Sequence, residues 1–228
     1  MVMDLNDFIL GVNYMPKINL RLMIDSLPVV LQGIPYTLGL TLISFILGNV
    51  LAILLTLVYL YAPVIFQLMT RFYISFFRGI PALVLLFMLY FGLPYQLTAI
   101  QAVIICFTMT SSAFLTEIYR GAILGIDEGQ WDAARALGLP FWIIIRKIIL
   151  PQVFRLSIPA LSNVAMDLAK GTSLAAMITV PEMFQKAKMI GGREFDYMTL
   201  YVLVAIIYWL ICIGIGYLQN RLEKIFHY

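Results

Sequence analysis

The sequence predicts an all-α polytopic membrane protein with five transmembrane helices. Three observations carry that prediction. Of the 228 residues, 62% are hydrophobic and only 12% are charged, and the mean hydropathy is +0.95, well above the roughly 45–50% apolar content of a soluble domain. Uncharged apolar runs of about 20 residues recur, long enough to cross about 30 Å of hydrocarbon. Short polar segments with Pro and Gly separate them, as expected where helices must satisfy every backbone group inside lipid. The length leaves no sizeable additional soluble domain.

Residues 1–33 mix Asp4, Asp7, Lys17, Arg21 and Asp25 with Leu, Ile and Met and contain Pro16 and Pro28. They read as an extracytoplasmic, interfacial and partly helical lead-in. No basic segment with a short apolar core and a cleavage site precedes it, and no lipidation cysteine stands near the start, so the spans themselves are expected to hold the chain in the membrane. The first span covers 34–59 and ends at Tyr59 and Tyr61, aromatic residues suited to the headgroup level. The second, at 72–93, follows Pro63, with Arg71 and Arg78 snorkelling at one end. A turn at Gly92, Leu93 and Pro94 leads to the third span at 99–118, which closes on Glu117 and Arg120.

From 121 to 155 the chain changes character: Asp127, Glu128, Asp132, Arg135, Arg146 and Lys147 alternate with Ala, Leu, Ile and Trp. This is the longest polar connection. The fourth span, 156–180, carries Asp167 and Lys170 near its middle; a mixed loop from 181 to 196 follows. The fifth covers 197–218, before a tail at 219–228 with Arg221, Glu223, Lys224 and the lone His227.

Five spans put the termini on opposite sides. With the N-terminus outside, the inner segments hold Arg71, Arg78, Arg120, Arg135, Arg146, Lys147, Arg155, Arg221 and Lys224, against Lys17, Arg21, Lys186, Lys188 and Arg193 outside. Nine against five favours N-outside, C-inside, which makes the 121–155 loop cytoplasmic. The net charge of +3 therefore implies no nucleic-acid partner. Cys106 and Cys212 fall in apolar stretches and read as small buried hydrophobes. One histidine and no metal-ligand cluster or convergent nucleophile argue against an enzyme.

Within the cytoplasmic loop, Ala133, Ala134 and Ala136 give a slim, helix-favouring surface, and Leu137 lies one turn beyond Ala133 on the same face. Gly138 ends or bends this helix, Pro140 forbids simple continuation, and Pro151 resets the chain toward the fourth span. A short helix parallel to the membrane and tied to two spans would move both when pushed. The bland alternative is an ordinary amphipathic loop.

Together, Asp132-Ala133-Ala134, Gly138 and Ile148-Ile149-Leu150-Pro151 resemble the coupling-loop signature of ATP-binding cassette importer permeases: Glu-Ala-Ala, three residues, Gly, nine residues, Ile-x-Leu-Pro. Asp132 stands where Glu is usual, keeping the charge on a shorter arm. Further segments extend the resemblance over about residues 27–220: Phe77-Arg78-Gly79-Ile80-Pro81, Tyr90-Phe91-Gly92-Leu93-Pro94, Glu117-Ile118-Tyr119-Arg120-Gly121, Gly129-Gln130-Trp131, Thr172-Ser173-Leu174 and Val180-Pro181-Glu182. These are similar to the polar amino acid uptake branch, which includes histidine, glutamate, glutamine, arginine and cystine types. The resemblance implies the type I (MetI-like) permease fold in a bacterial plasma membrane and two permease subunits, identical or closely related, around a path. It also implies a separate ATPase dimer that binds ATP and Mg, and an extracytoplasmic substrate-binding protein that delivers the solute. Asp132, Ala133, Ala134, Leu137, Gly138 and Leu139 would then couple this chain to the ATPase. The chain has no Gly-x-x-x-x-Gly-Lys-Ser/Thr phosphate loop of its own, and no cofactor is expected in it.

Asp167 and Lys170, three residues apart, share a helix face. Charges at mid-bilayer cost about 2.5–3.5 kcal/mol on insertion scales and usually face a bundle interior or a wet cavity. They form either a structural ion pair or part of the solute path. The branch usually reads Lys-Asp-Thr-Ser, whereas Lys170 is followed here by Gly171, Thr172 and Ser173. On the path reading, Asp167 replaces the missing acid and meets an amino acid's ammonium, while Lys170, Thr172 or Ser173 meets its carboxylate. Glu117 and Arg120 read as a capping pair or part of the inner gate, and Arg78 as a snorkelling residue or a helix break lining the path. The missing acid, with the similarity of the first two spans to cystine-type permeases, points to cystine or another uncharged polar amino acid. The alternative from another class is an ion-coupled secondary transporter or channel using Asp167 as a relay, whose uptake would survive ATP depletion.

Overall fold

The computed structural model describes residues 18–226, without the side chain of Phe226; most of the N-terminal lead-in (1–17) and His227 lie outside the described residues. The described chain is helical, with no strand: α1 (Leu20–Leu31), α2 (Ile34–Tyr61), α3 (Val64–Gly79), α4 (Ala82–Phe91), α5 (Ala99–Leu124), α6 (Glu128–Ala136), α7 (Leu150–Gly171), α8 (Met183–Glu194) and α9 (Tyr197–Phe226).

The lead-in forms a helix, α1, capped by Asn19, whose side chain accepts from the Leu22 amide at 3.1 Å. The Asn19 amide donates to Thr199 Oγ1 at 3.0 Å, pinning α1 to the start of α9. Gly33 makes the corner into α2, where a Cβ would stand 2.4 Å from the Met183 amide nitrogen, so this close approach requires glycine.

The most extensive helix packing joins α2 to α5. Small and hydroxylated residues line it: Ser44, Gly48, Ala52 and Thr56 on α2, and Ser111, Ser112 and Thr116 on α5, all buried. A Cβ at Gly48 would come within 2.3 Å of Ser111 Oγ. Thr56 and Thr116 donate their hydroxyls to the carbonyls of Ala52 and Ser112, each at 2.7 Å, so these two hydroxyls are satisfied within their own helices, while the buried Ser44 hydroxyl has no hydrogen-bond partner among the described residues. Helices that meet without a hydrophobic driving force between them need such small-residue contact.

The expected second span at 72–93 is not one straight helix. α3 begins at Val64, after Pro63, and α4 leaves it at 101°. Pro81 supplies no amide hydrogen and holds Ile80 extended (φ −89°, ψ 134°), ending α3 there. Arg71 consequently sits mid-helix rather than at an end. α5 opens with a capping box between Thr98 and Gln101 and runs six residues past 118.

The 121–155 connection is helical for most of its length. After α6, the chain turns at Gly138 and re-enters a helix at Phe141, which widens into a π-type turn over Ile144–Ile149 and continues as α7. Pro151 therefore does not reset the chain. A proline ring clashes with the carbonyl four residues back, and the widened turn makes room for it. α7 ends at Gly171, tightens to a 3₁₀ helix over Thr172–Ile178 and stops at Thr179, whose φ is 64°, so residues 156–180 are two helical segments. The expected mixed loop at 181–196 is mostly α8, because Glu182 caps it.

Three helices, α2, α5 and α9, are long and apolar enough to cross a membrane, four if the bent α3–α4 pair counts as one. α7 lies outside that set; Arg155, Asp167 and Lys170 interrupt it. It nevertheless packs against α2, α5 and α9. Three buried clusters result. One joins α2, α4, α5, the end of α7 and the 3₁₀ segment. A second joins α1, α8 and α9, and a third joins the end of α5, α6 and the π-type turn. Cys106 is buried and Cys212 partly so, both unpaired.

Candidate functional site

α6 is short and well ended. The Asp127 side chain accepts from the Gly129 amide at 2.8 Å, Glu128 stands in the first turn and Arg135 in the last, each favourably placed in the helix dipole. Gly138 adopts φ 70°, which lets its amide reach the Arg135 carbonyl at 2.9 Å and the Leu139 amide reach that of Ala134 at 3.2 Å, a Schellman-type closure.

The two faces of α6 differ. Ala134 is buried against Ile126, Ile144, Ile149 and Val153, with Leu139 and Trp131 packed on the same cluster. Asp132, Ala133, Ala136, Leu137 and Gly138 are exposed, Leu137 to 77%. Of the six residues expected to meet the ATPase, Ala134 and Leu139 thus face the chain itself. Ala133 and Leu137, four apart, share the outward face, and Ala134 is turned about 100° from Ala133. Asp132 and Arg135 pair at 3.4 Å on the surface.

The cluster beneath α6 is built from Tyr119, Ala122 and Ile123 of α5 and from Ile148, Ile149 and Val153 at the entry to α7. α6 thus rests on α5 and α7 together.

Between the same two helices and the α3–α4 break lies a cavity of about 320 Å³. Its walls include Phe77, Arg78, Ile80, Phe107, Thr110, Ser111, Phe114, Val164, Asp167 and Leu174. Arg78, in the last turn of α3, lays its guanidinium 5.3 Å from the centre of the Phe114 ring. Asp167 accepts from Lys170 Nζ at 2.8 Å, both side chains more than half exposed. The pair lies near the C-terminal end of a helix that ends at Gly171, with Lys170 in its last turn.

Arg78 and Asp167 are thus brought to one cavity, with Lys170 beside them. The other expected path residues are elsewhere. Thr172 is fully buried and donates to the Ala169 carbonyl at 2.8 Å, and Ser173 donates to the Lys170 carbonyl at 2.8 Å; neither lines the cavity. Glu117 pairs with Arg120 at 2.7 Å further along α5. Arg120 and Arg71 there flank the Tyr59 ring, their guanidinium carbons 5.4 and 5.2 Å from its centre.

Two sets of residues to which the sequence assigned no role have a place in the structure. Thr110 and Ser111 line the cavity, and their signal was a run of hydroxyls (Thr108, Thr110, Ser111, Ser112) inside an otherwise apolar span. Glu182 is fully buried and accepts from the amides of Phe184 at 2.9 Å and Gln185 at 2.7 Å and from the Tyr208 hydroxyl at 2.7 Å. Burial pushes its carboxyl above the ordinary range, against the pull of those three donors. Its signal was a Pro-Glu pair ahead of a helical stretch, the mark of an N-cap.

Residues 48–227 match the protein family described as binding-protein-dependent transport system inner membrane component. The chain is 49% identical over 209 residues to the probable amino-acid ABC transporter permease protein YckA of Bacillus subtilis (strain 168), covering 90% of this chain and 92% of that one. It is 37% identical over 201 residues to the L-cystine transport system permease protein TcyB of the same organism, covering 86% of each. A crystal structure of an amino acid ABC transporter with histidines superposes with a TM-score of 0.85 at 27% identity, covering 91% of this chain and 99% of that one.

Proposed function

This chain belongs to the family of binding-protein-dependent transport system inner membrane components, and from that premise we propose how it moves its solute. It is a multi-pass inner-membrane permease component of an amino acid ABC importer, a transport subunit rather than an enzyme. The single observation that carries the mechanism is the shared scaffold: α5 and α7 hold α6 in one cluster and wall the Arg78–Asp167 cavity in another.

The N-terminus lies outside, and α7 is the fourth of five crossings, with α9 the fifth. Asp167 and Lys170 are exposed on this chain, and a charge facing hydrocarbon costs up to about 2.5–3.5 kcal/mol at mid-bilayer. A second permease subunit, identical or closely related, closes that face around a wet path. A separate ATPase dimer, which handles ATP and Mg, grips the Ala133–Leu137 face. Closure of that dimer shifts α6, and with it α5 and α7, so the cavity alternates between the two sides. An extracytoplasmic binding protein loads it.

In the cavity, Arg78 takes the solute's carboxylate and Asp167 its ammonium, in place of the buried Thr172 and the turned-away Ser173. Phe77, Phe107 and Phe114 leave the side-chain subsite uncharged, and sulfur–aromatic contacts stabilise by about 0.3–1.5 kcal/mol. A neutral, sulfur-bearing amino acid of the cystine kind fits that lining, in keeping with the cystine relative.

ATPase activity of the reconstituted complex, measured against binding proteins loaded with different amino acids, tests the solute. Asp167→Asn removes one charged partner, so the solute concentration for half-maximal uptake should rise about 10- to 100-fold. An unchanged value sinks the role of Asp167.

A further inference from the structure

Phe195 is the most exposed large apolar residue among those described, at 92%. It sits directly after α8 with φ 56°, in the left-handed region where a glycine is at ease and a side chain is strained. The backbone there is held from both sides. The Asp196 amide donates to the Gly191 carbonyl at 3.1 Å, and the Asp196 carboxylate accepts from the Thr199 amide and hydroxyl at 3.0 and 2.7 Å. The Phe195 ring joins none of the three buried clusters. The chain thus bears both strain and apolar exposure with no return inside the molecule.

We propose that Phe195 is an anchor residue for the extracytoplasmic binding protein, fixed by α8 at the end of the bundle opposite α6. The location follows from connectivity. α7 leaves the α6 cluster and ends a helix length away, and α8 joins that far end to the start of α9. The family to which the chain belongs is binding-protein-dependent, so a protein must engage the face away from the ATPase; the inference rests on the proposed function in this respect. The surroundings favour a protein over lipid. Phe195 is flanked by the exposed Arg193–Glu194 ion pair, 2.8 Å long, and by Asp196. An aromatic side chain within a polar rim is the anatomy of an interface hot spot. Headgroup anchoring favours tyrosine and tryptophan, which carry a polar tip, and Tyr197 and Tyr201, both exposed, already supply it.

The test uses the complete complex and a binding protein first identified by its stimulation of the wild-type ATPase. Phe195→Gly and Phe195→Asp should raise the binding-protein concentration for half-maximal stimulation at least tenfold, leave basal ATPase activity unchanged and preserve assembly; Phe195→Trp should keep it near wild type. Stimulation of the Gly and Asp variants at wild-type concentrations overturns the proposal. So does separation of the two permease subunits in Phe195→Gly, which would assign the ring to their mutual interface. Failure of the underlying reading is distinct: no binding protein stimulates even the wild-type complex, or an impermeant maleimide reaches Phe195→Cys only from the cytoplasmic face.

Discussion

α6 and α8 are two short helices that join longer ones at opposite ends of the bundle; both rest on apolar clusters, and α8 adds buried side-chain hydrogen bonds to its own. Both close with a left-handed residue and an amide reaching five residues back, Leu139 to Ala134 and Asp196 to Gly191. Both leave a large apolar side chain outside, Leu137 and Phe195. Beneath α6, however, the contacts are isoleucine, valine, alanine and tryptophan, which are non-directional and tolerate sliding. Beneath α8 the contacts are apolar too, with Met183, Ala187 and Ile190 packed against α1 and α9, but the buried Glu182 is in addition tied by three hydrogen bonds to its own helix and to Tyr208 of α9, which fixes direction as well as position. A helix that transmits motion suits the first arrangement, and one that presents a fixed surface suits the second.

The largest effect that this contrast predicts lies on the outward face of α6. Ala133→Arg puts a long charged side chain where a slim surface must enter the ATPase, so uptake should fall at least 100-fold while membrane insertion stays normal. Ala134→Arg should do something different. Because Ala134 is 2% exposed within the third cluster, the substitution buries a charge and should also lower the yield of folded permease. Equal yields for the two variants would erase the distinction between the faces.

At the other end, Glu182→Ala leaves two amides and the Tyr208 hydroxyl without their acceptor. A buried donor without a partner costs about 1–3 kcal/mol, so the purified subunit should melt several degrees lower. Glu182→Gln keeps one acceptor oxygen and should lose less. If Glu182→Ala melts like wild type, α8 is not held by hydrogen bonds and the comparison fails.

How much of this was legible in the sequence depends on the scale of the signal. Apolar runs revealed α2, α5 and α9, because length and hydropathy alone decide them. The break between α3 and α4 was visible locally in Gly79 and Pro81, but the 101° turn depends on packing that no local pattern encodes. At the site, motif spacing located α6 and its Gly138 terminus. It did not separate Ala133 from Ala134, since which alanine faces inward is set by the distant Ile144 and Val153. Asp167 and Arg78 stand 89 positions apart, and only the packing of both α3 and α7 against α5 puts them on one cavity.

The smallest effect is also the sharpest comparison of the two helix ends, because one class of backbone position carries opposite residues. At Gly138, φ is 70° and no atom stands within 4 Å of a built Cβ, so Gly138→Ala meets open space and its effect is conformational alone: a loss of about 1 kcal/mol. Phe195→Gly runs the other way. It relieves the left-handed strain, which favours the folded state by about 1 kcal/mol, but glycine also enlarges the unfolded ensemble, which offsets part of that gain. Melting curves of the purified subunit should therefore move down for Gly138→Ala and stay level or rise slightly for Phe195→Gly. A clear fall for Phe195→Gly would mean that the ring packs on something within the subunit, and Phe195 would then resemble a core residue rather than a presented one.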